Sequence, residues 1–153
     1  MRIALSIEYN GANYFGWQKQ KIHKEKTIQY YIDKAISKIA DEKINTICAG
    51  RTDTGVHAFS QIVHFDTNKK RFDYKWLNGI NSNTPNDIII KNIYHVDDNF
   101  HARYSALART YRYIILNQEY PSTYLSSNVL HLNSKISILK IRSTFKYLRG
   151  EKD

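Results

Sequence analysis

One carboxylate, Asp53, lies between Gly50 and Gly55 and two residues from Arg51 in the stretch Ala49-Gly50-Arg51-Thr52-Asp53-Thr54-Gly55-Val56-His57-Ala58 of an otherwise basic chain. A glycine on each side lets the backbone take positive φ or approach a ligand closely, so the spacing predicts a tight loop holding Asp53 at its tip and facing a pocket. The nearby guanidinium of Arg51 keeps that carboxylate ionised. This is the pattern of a chemical site built on a single acid. The competing reading is a hairpin turn in which Asp53 caps a neighbouring N–H group and pairs with Arg51 at the surface.

Other chemistries find little support. The six histidines and the single cysteine show no HxxxH, HxH or paired-cysteine spacing, so no metal site is expected. Nor is there a Walker-type glycine loop or a Ser/His/Asp arrangement with supporting context. Against 14 acidic residues stand 23 Lys and Arg, a net charge of +9, which favours a polyanionic partner, with nucleic acid first among them. Twelve Tyr, six Phe and two Trp supply flat faces on which exposed bases can stack, although most rings belong in a core. Cys48 allows no intramolecular disulfide, reads as a small buried hydrophobe, and suits a cytosolic compartment. No apolar run is long enough for a signal segment or a membrane span, so the chain reads as soluble, untargeted and cytoplasmic.

The elements that must position Asp53 emerge from periodicity. Ile3, Leu5 and Ile7 alternate with Ala4, Ser6 and Glu8, a half-buried strand. After a loop over residues 9–25, Thr27 can cap a helix whose Ile28, Ile32, Ala35, Ile36 and Ile39 share one face while Lys34, Lys38 and Asp41 face water. Residues 44–48 read as a short strand leading into the loop, and 57–65 as the strand returning from it. Residues 73–81 form a second helix with Trp76, Leu77 and Ile80 on one side, and the β-branched stretch 87–96 a strand. The order βαββαβ is that of an α+β, ferredoxin-like unit: an antiparallel sheet with helices on one face and the other face left for RNA or a second domain. Beyond it, the pattern predicts a strand over 108–116 with Tyr111 and Tyr113 on one side, a short strand over 129–132, and a helix over 134–148 with Ile138, Leu139, Ile141, Phe145 and Leu148 as its apolar stripe. The expected division is a loop-bearing domain at 1–97 and, at 98–153, the start of a second, truncated C-terminal domain.

Three stretches, in order, resemble the TruA family of tRNA pseudouridine synthases: Tyr9-Asn10-Gly11-Ala12-Asn13-Tyr14-Phe15-Gly16-Trp17-Gln18, followed by Thr27-Ile28-Gln29; Gly50-Arg51-Thr52-Asp53-Thr54-Gly55-Val56-His57; and Phe100-His101-Ala102-Arg103-Tyr104-Ser105-Ala106 with Ala108-Arg109-Thr110-Tyr111-Arg112-Tyr113. Asn10 stands where the family usually has Asp, and Thr54 where it more often has Ala. The resemblance implies the pseudouridine synthase fold and an isomerase that needs no cofactor or metal. It implies a homodimer acting on uridines of the tRNA anticodon stem-loop, at tRNA positions 38–40. It places the essential catalytic role on Asp53, acting either as a nucleophile or as a base that removes the C2′ proton. It makes Arg51 a residue that orients Asp53 or holds the extruded nucleotide, and Tyr111 a stacking partner of the base or a helper in proton removal at C5. Arg103 and Arg109, with Lys19 and Lys21 beside Trp17, become expected phosphate contacts. The alternative is a catalytically incompetent RNA-binding fragment or relic of such an enzyme.

Overall fold

The structure is a computed structural model that describes residues 1–126 and 128–151. The chain divides into two compact units, Met1–Arg109 and Thr110–Asp153. Residues 98–109, expected in the second domain, lie in the first unit, and the last two residues of that expected domain fall outside the described ones.

The first unit is built from β1 (Arg2–Tyr9), α1 (Ile28–Ala40), β2 (Ile47–Cys48), β3 (Ala58–Asp66), α2 (Asp73–Asn81) and β4 (Ile88–Val96). The strands form one sheet in the order β2-β3-β1-β4 with every neighbouring pair antiparallel, the arrangement expected of a ferredoxin-like unit. β1 is central, with Leu5 opposite both Val63 and Ile93. Its register against both neighbours shifts near its end, between Ile7 and Tyr9 on one side and Ser6 and Ile7 on the other. Such bulges bend a strand and re-aim the backbone beyond it, here the segment that leaves β1 toward the Asp53 loop.

Ile3, Leu5 and Ile7 are wholly buried and meet Val63 and Phe65 of β3, Ile88 and Ile90 of β4, and the apolar stripes of both helices. On α1 that stripe is Ile28, Ile32, Ala35, Ile36 and Ala40. On α2 it is Trp76 and Ile80, the Trp76 ring lying edge-on to Phe65. The α1 helix stops at Asp41, whose left-handed conformation (φ 53°) turns the chain while its N–H reaches Ser37 O. Asn81 ties the end of α2 to β4, donating to the Ile90 carbonyl at 3.0 Å and accepting from its N–H at 2.7 Å.

The opposite face of β1 is also covered. Ala4 and Ser6 are buried, and the segment around residues 98–102 lies over their end of the sheet. Arg2 donates to the carbonyls of Asp98 and Phe100, and Ala102 N–H donates to His64 Nδ1 at 3.1 Å. The buried His64 ring meets Phe100 and His101 edge-on. Burial, aided by the nearby Arg2 and His101, lowers its pKa below the ordinary histidine value. Alternation marked β1 as half-buried, but the small side chains of Ala4 and Ser6 are what let a second layer approach.

The second unit departs further from its pattern. Only Ile115–Asn117 (β5) is strand within 108–116, so Tyr111 and Tyr113 share no strand face. β5 pairs in parallel with β6 (Leu130–Leu132), and Asn117 Nδ2 bonds the carbonyls of Leu132 and Ser134. The expected helix shortens to α3 (Ile138–Thr144) plus a 3-10 turn at Phe145–Tyr147, with Ser137 accepting from Lys140 N–H at its start. None of its apolar stripe is buried. Periodicity makes a strand or a helix stable only when a ladder or an apolar surface meets it, and the described residues of this unit offer little of either.

Candidate active site

Two loops at one end of the sheet lock together. The first leaves β1 at Tyr9 and runs to Gln18; the second joins β2 to β3 and carries Asp53. Trp17 N–H donates to Thr52 O at 2.9 Å, and Gly55 N–H to Tyr14 O at 3.2 Å. The Tyr9 hydroxyl and Thr52 Oγ1 are 2.8 Å apart, and Gly11 N–H donates to His57 Nδ1 at 3.1 Å. Burial raises the Tyr9 pKa, so the phenol stays neutral and anchors Thr52. Trp17, almost fully buried, packs against the Tyr9 ring at 5.9 Å between centroids.

Glycine is required where the loops cross. Gly16 has φ +78°, and a Cβ there would stand 2.5 Å from Thr52 O and 3.1 Å from the carbonyl carbon of Asp53. The Asp53 loop is closed by Val56 N–H on Asp53 O at 3.2 Å, with Gly55 at φ +79°, the positive φ that a type II turn demands at its third position. Asn10 makes an Asx turn, accepting from Ala12 N–H at 3.0 Å, so an amide serves at that position.

The backbone is thus pinned while the Asp53 side chain is not. Among the described residues its carboxylate accepts no hydrogen bond and joins no ion pair. The capped-hairpin reading fails on this point, and so does the expected Arg51–Asp53 pair: Arg51 extends from the same loop without binding the acid. Both instead line a cleft of about 310 Å³ with Phe15, Gln18, Gln20, Thr52 and Thr54. That is the lower end of the size that takes small ligands. Phe15, unremarked in the sequence, is its one aromatic wall, backed by His23 at 4.7 Å and by the Lys26 ammonium at 5.5 Å from the ring centre. A ring in a Gly-Trp-Gln loop was the available signal, masked by the abundance of rings elsewhere.

The remaining expected residues separate. Arg103 is exposed, its guanidinium 5.7 Å from the Tyr104 ring centre, and its charge, like that of Arg51, is felt at Cys48. Cys48 is half-buried, and burial pushes its thiol pKa up. Arg109 is not a free phosphate contact: its guanidinium bonds the carbonyls of Ala49 and Arg103. Nor is Lys19, whose ammonium lies 2.5 Å from the buried Asp33 carboxylate and 3.2 Å from Asn45 Oδ1. Lys21 is exposed. Tyr111 is exposed and belongs to the second unit. Among the described residues no three His, Cys, Asp or Glu side chains group as a metal site, and no helix is long and apolar enough to cross a membrane.

A profile of the tRNA pseudouridine synthase family matches residues 5–105, a span holding both interlocked loops, β2 to β4 and most of β1. The chain belongs to that family. Its α+β unit, with the antiparallel sheet and paired helices, is the pseudouridine synthase fold. All 153 residues align with proteins named tRNA pseudouridine synthase A, at 49% identity in Colwellia psychrerythraea, 48% in Vibrio campbellii and 44% in Photorhabdus laumondii. The chain spans 57–58% of the length of these synthases.

Proposed function

We propose that this chain carries the catalytic loop of a tRNA-uridine isomerase, with Asp53 as its essential residue. The observation that carries the reading is an acid presented on a rigid backbone, lining a cleft beside a guanidinium, with no partner of its own. In the reaction the N1–C1′ bond of a uridine breaks, the base turns, C5 bonds to C1′, and the C5 proton is lost as N1 gains one. Asp53 drives the cleavage either by attack as a nucleophile or by taking the C2′ proton to give a glycal. Either route needs its carboxylate within reach of the sugar. The target uridine must therefore leave its stack, at a cost of a few kcal/mol, and be held in the cleft.

The basic balance of the chain supports a polyanionic substrate, and the names of its relatives support tRNA. In this reading the substrate is the anticodon stem-loop, with the target uridines at tRNA positions 38–40. Arg51 holds the extruded nucleotide in the cleft it lines, Arg103 contacts phosphate, and Tyr111 meets the base or its C5 proton. The working assembly is a homodimer in the cytoplasm.

The test is tritium release from tRNA labelled at uridine C5. Asp53→Asn is expected to abolish release, a loss of at least about 10⁴-fold, while leaving tRNA affinity within about threefold, since the amide keeps the volume and removes only the reactive charge. Release at the unsubstituted rate would refute the assignment. Salt-sensitive binding without conversion by the unsubstituted chain would favour a non-catalytic RNA-binding role.

A further inference from the structure

We propose that Arg109 is a positioning residue that clasps the Asp53 loop at its root, rather than a contact to RNA phosphate. The β2–β3 ladder ends at Ala49, whose N–H donates to Ile62 O at 2.8 Å. Beyond that point the Ala49 carbonyl has left the sheet. Arg109 takes it with two donors, Nη2 at 2.7 Å and Nε at 3.2 Å, and the same Nη2 reaches Arg103 O at 3.2 Å. One planar fork thus joins the start of the loop to the segment carrying Arg103, a geometry a lysine ammonium cannot reproduce with a single point charge.

The next residue shows how closely this fork is fitted. A Cβ on Gly50 would lie 3.3 Å from Arg109 Nε and 3.6 Å from its Cδ, so a side chain there would press on the guanidinium and make it give by a few tenths of an ångström. From the other side Gly50 is held by Gln61, a buried residue of β3, whose Oε1 accepts from Gly50 N–H and whose Nε2 donates to Gly50 O. Three residues before Asp53 the chain is therefore gripped between a side chain from the sheet and a side chain from residue 109. The Asp53 carboxylate makes no hydrogen bond or ion pair among the described residues, so its placement is inherited from its backbone, through this grip, the Val56 turn and the crossing at Gly16. Arg109 is not among the residues lining the cleft, and its hydrogen bonds reach the loop at the Ala49 carbonyl, so it acts on Asp53 through the backbone.

Amide hydrogen exchange by NMR in the 153-residue chain tests the clasp without relying on catalysis. Arg109→Ala is expected to speed exchange of the Trp17, Gly55 and Val56 amides, whose bonds to Thr52, Tyr14 and Asp53 report the loop, by about tenfold. The Leu5 and Val63 amides of the sheet are expected to change by less than about twofold. Millimolar guanidinium chloride is expected to restore most of the lost protection in Arg109→Ala, and Arg109→Lys to recover only part. Gly50→Ala, which crowds the fork and leaves the arginine in place, is expected to open the same amides. Loop amides that stay protected, loop and strand amides that change together, or no response to guanidinium would overturn the proposal. The activity arm rests on the reading of Asp53: there Arg109→Ala is expected to lower kcat by about 10–100-fold with KM little changed. Should Asp53→Asn retain activity while Arg109→Ala still opens the loop, the clasp stands and the catalytic reading falls.

Discussion

Gly16→Ala displaces the candidate acid through its backbone, leaving its carboxylate unaltered. The new methyl group meets Thr52 O at 2.5 Å, where ordinary contact begins at 3.4 Å, so the Asp53 loop must retreat by about 0.9 Å unless the first loop gives way. The first loop cannot give easily, because Trp17 is buried and its N–H is bonded to the same Thr52 carbonyl. A non-glycine residue at φ +78° adds about 1–2 kcal/mol of strain. Together these predict a stability loss of about 2–3 kcal/mol and a fall in Tm of roughly 9–13 °C for a unit of this size. A misplacement near 1 Å costs about 100-fold in rate where a reacting group must be aligned. Gly55→Ala separates the two effects. Its φ of +79° carries the same strain, but no atom lies within 4 Å of the added Cβ. Thermal unfolding and single-turnover tritium release are expected to show similar strain in both variants and a further loss of at least about tenfold in rate for Gly16→Ala alone. Equal rates in the two variants would refute the idea that the loop crossing sets the position of Asp53.

Two further predictions concern what supports the loops. His64 accepts the Ala102 N–H through Nδ1 only when that nitrogen is unprotonated, and its folded pKa is lowered. Its contribution to stability is therefore complete above the unfolded value near pH ~6.5 and is lost as pH falls through the depressed folded value. Tm measured from pH 8 to pH 5 is expected to fall at the acid end, with a shallower fall in His64→Asn; parallel curves would contradict this. Asp33 is buried, receives the Thr46 N–H and hydroxyl at 2.9 and 2.6 Å, and faces Lys19, itself only 25% exposed. Asp33→Ala strands that ammonium and is expected to cost about 3 kcal/mol in urea unfolding, part of which Lys19→Met should restore in the double variant; a cost below 1 kcal/mol would be inconsistent with a working ion pair.

How far the sequence spoke depended on whether an element finds its partner within the described chain. The α1 stripe and the run 73–81 were legible because each helix meets the sheet that its apolar face requires. The strand over 108–116 and the helix over 134–148 carried equally clear periodicity, yet only Ile115–Asn117 and Ile138–Thr144 form regular elements of the expected kind. The protein partners of Arg109 and Lys19 were not legible for a related reason. Composition counts cations but does not say which carbonyl or carboxylate each one already serves, and both are spent on the scaffold. Phe15 was missed because nothing in a ring's spacing distinguishes a cleft wall from a core side chain.

The acid itself was legible because glycines at fixed offsets record backbone demands. Gly55 supplies a turn and Gly50 lets a guanidinium pack close against the backbone, while Gly16, from the other loop, allows the close crossing. What could not be read was that these demands serve the backbone alone. An Arg51–Asp53 pair would have satisfied the carboxylate within the protein and left a ligand less to offer it. Without that pair the loop is held from outside, by Tyr9, Gly11, Tyr14 and Trp17 on one flank and by Gln61 and Arg109 at the root. Rigidity and reactivity are therefore carried by different atoms of the same ten residues. Under the proposed role of Asp53, selection among ligands rests on which sugar the cleft can bring within reach of a side chain whose backbone is already fixed.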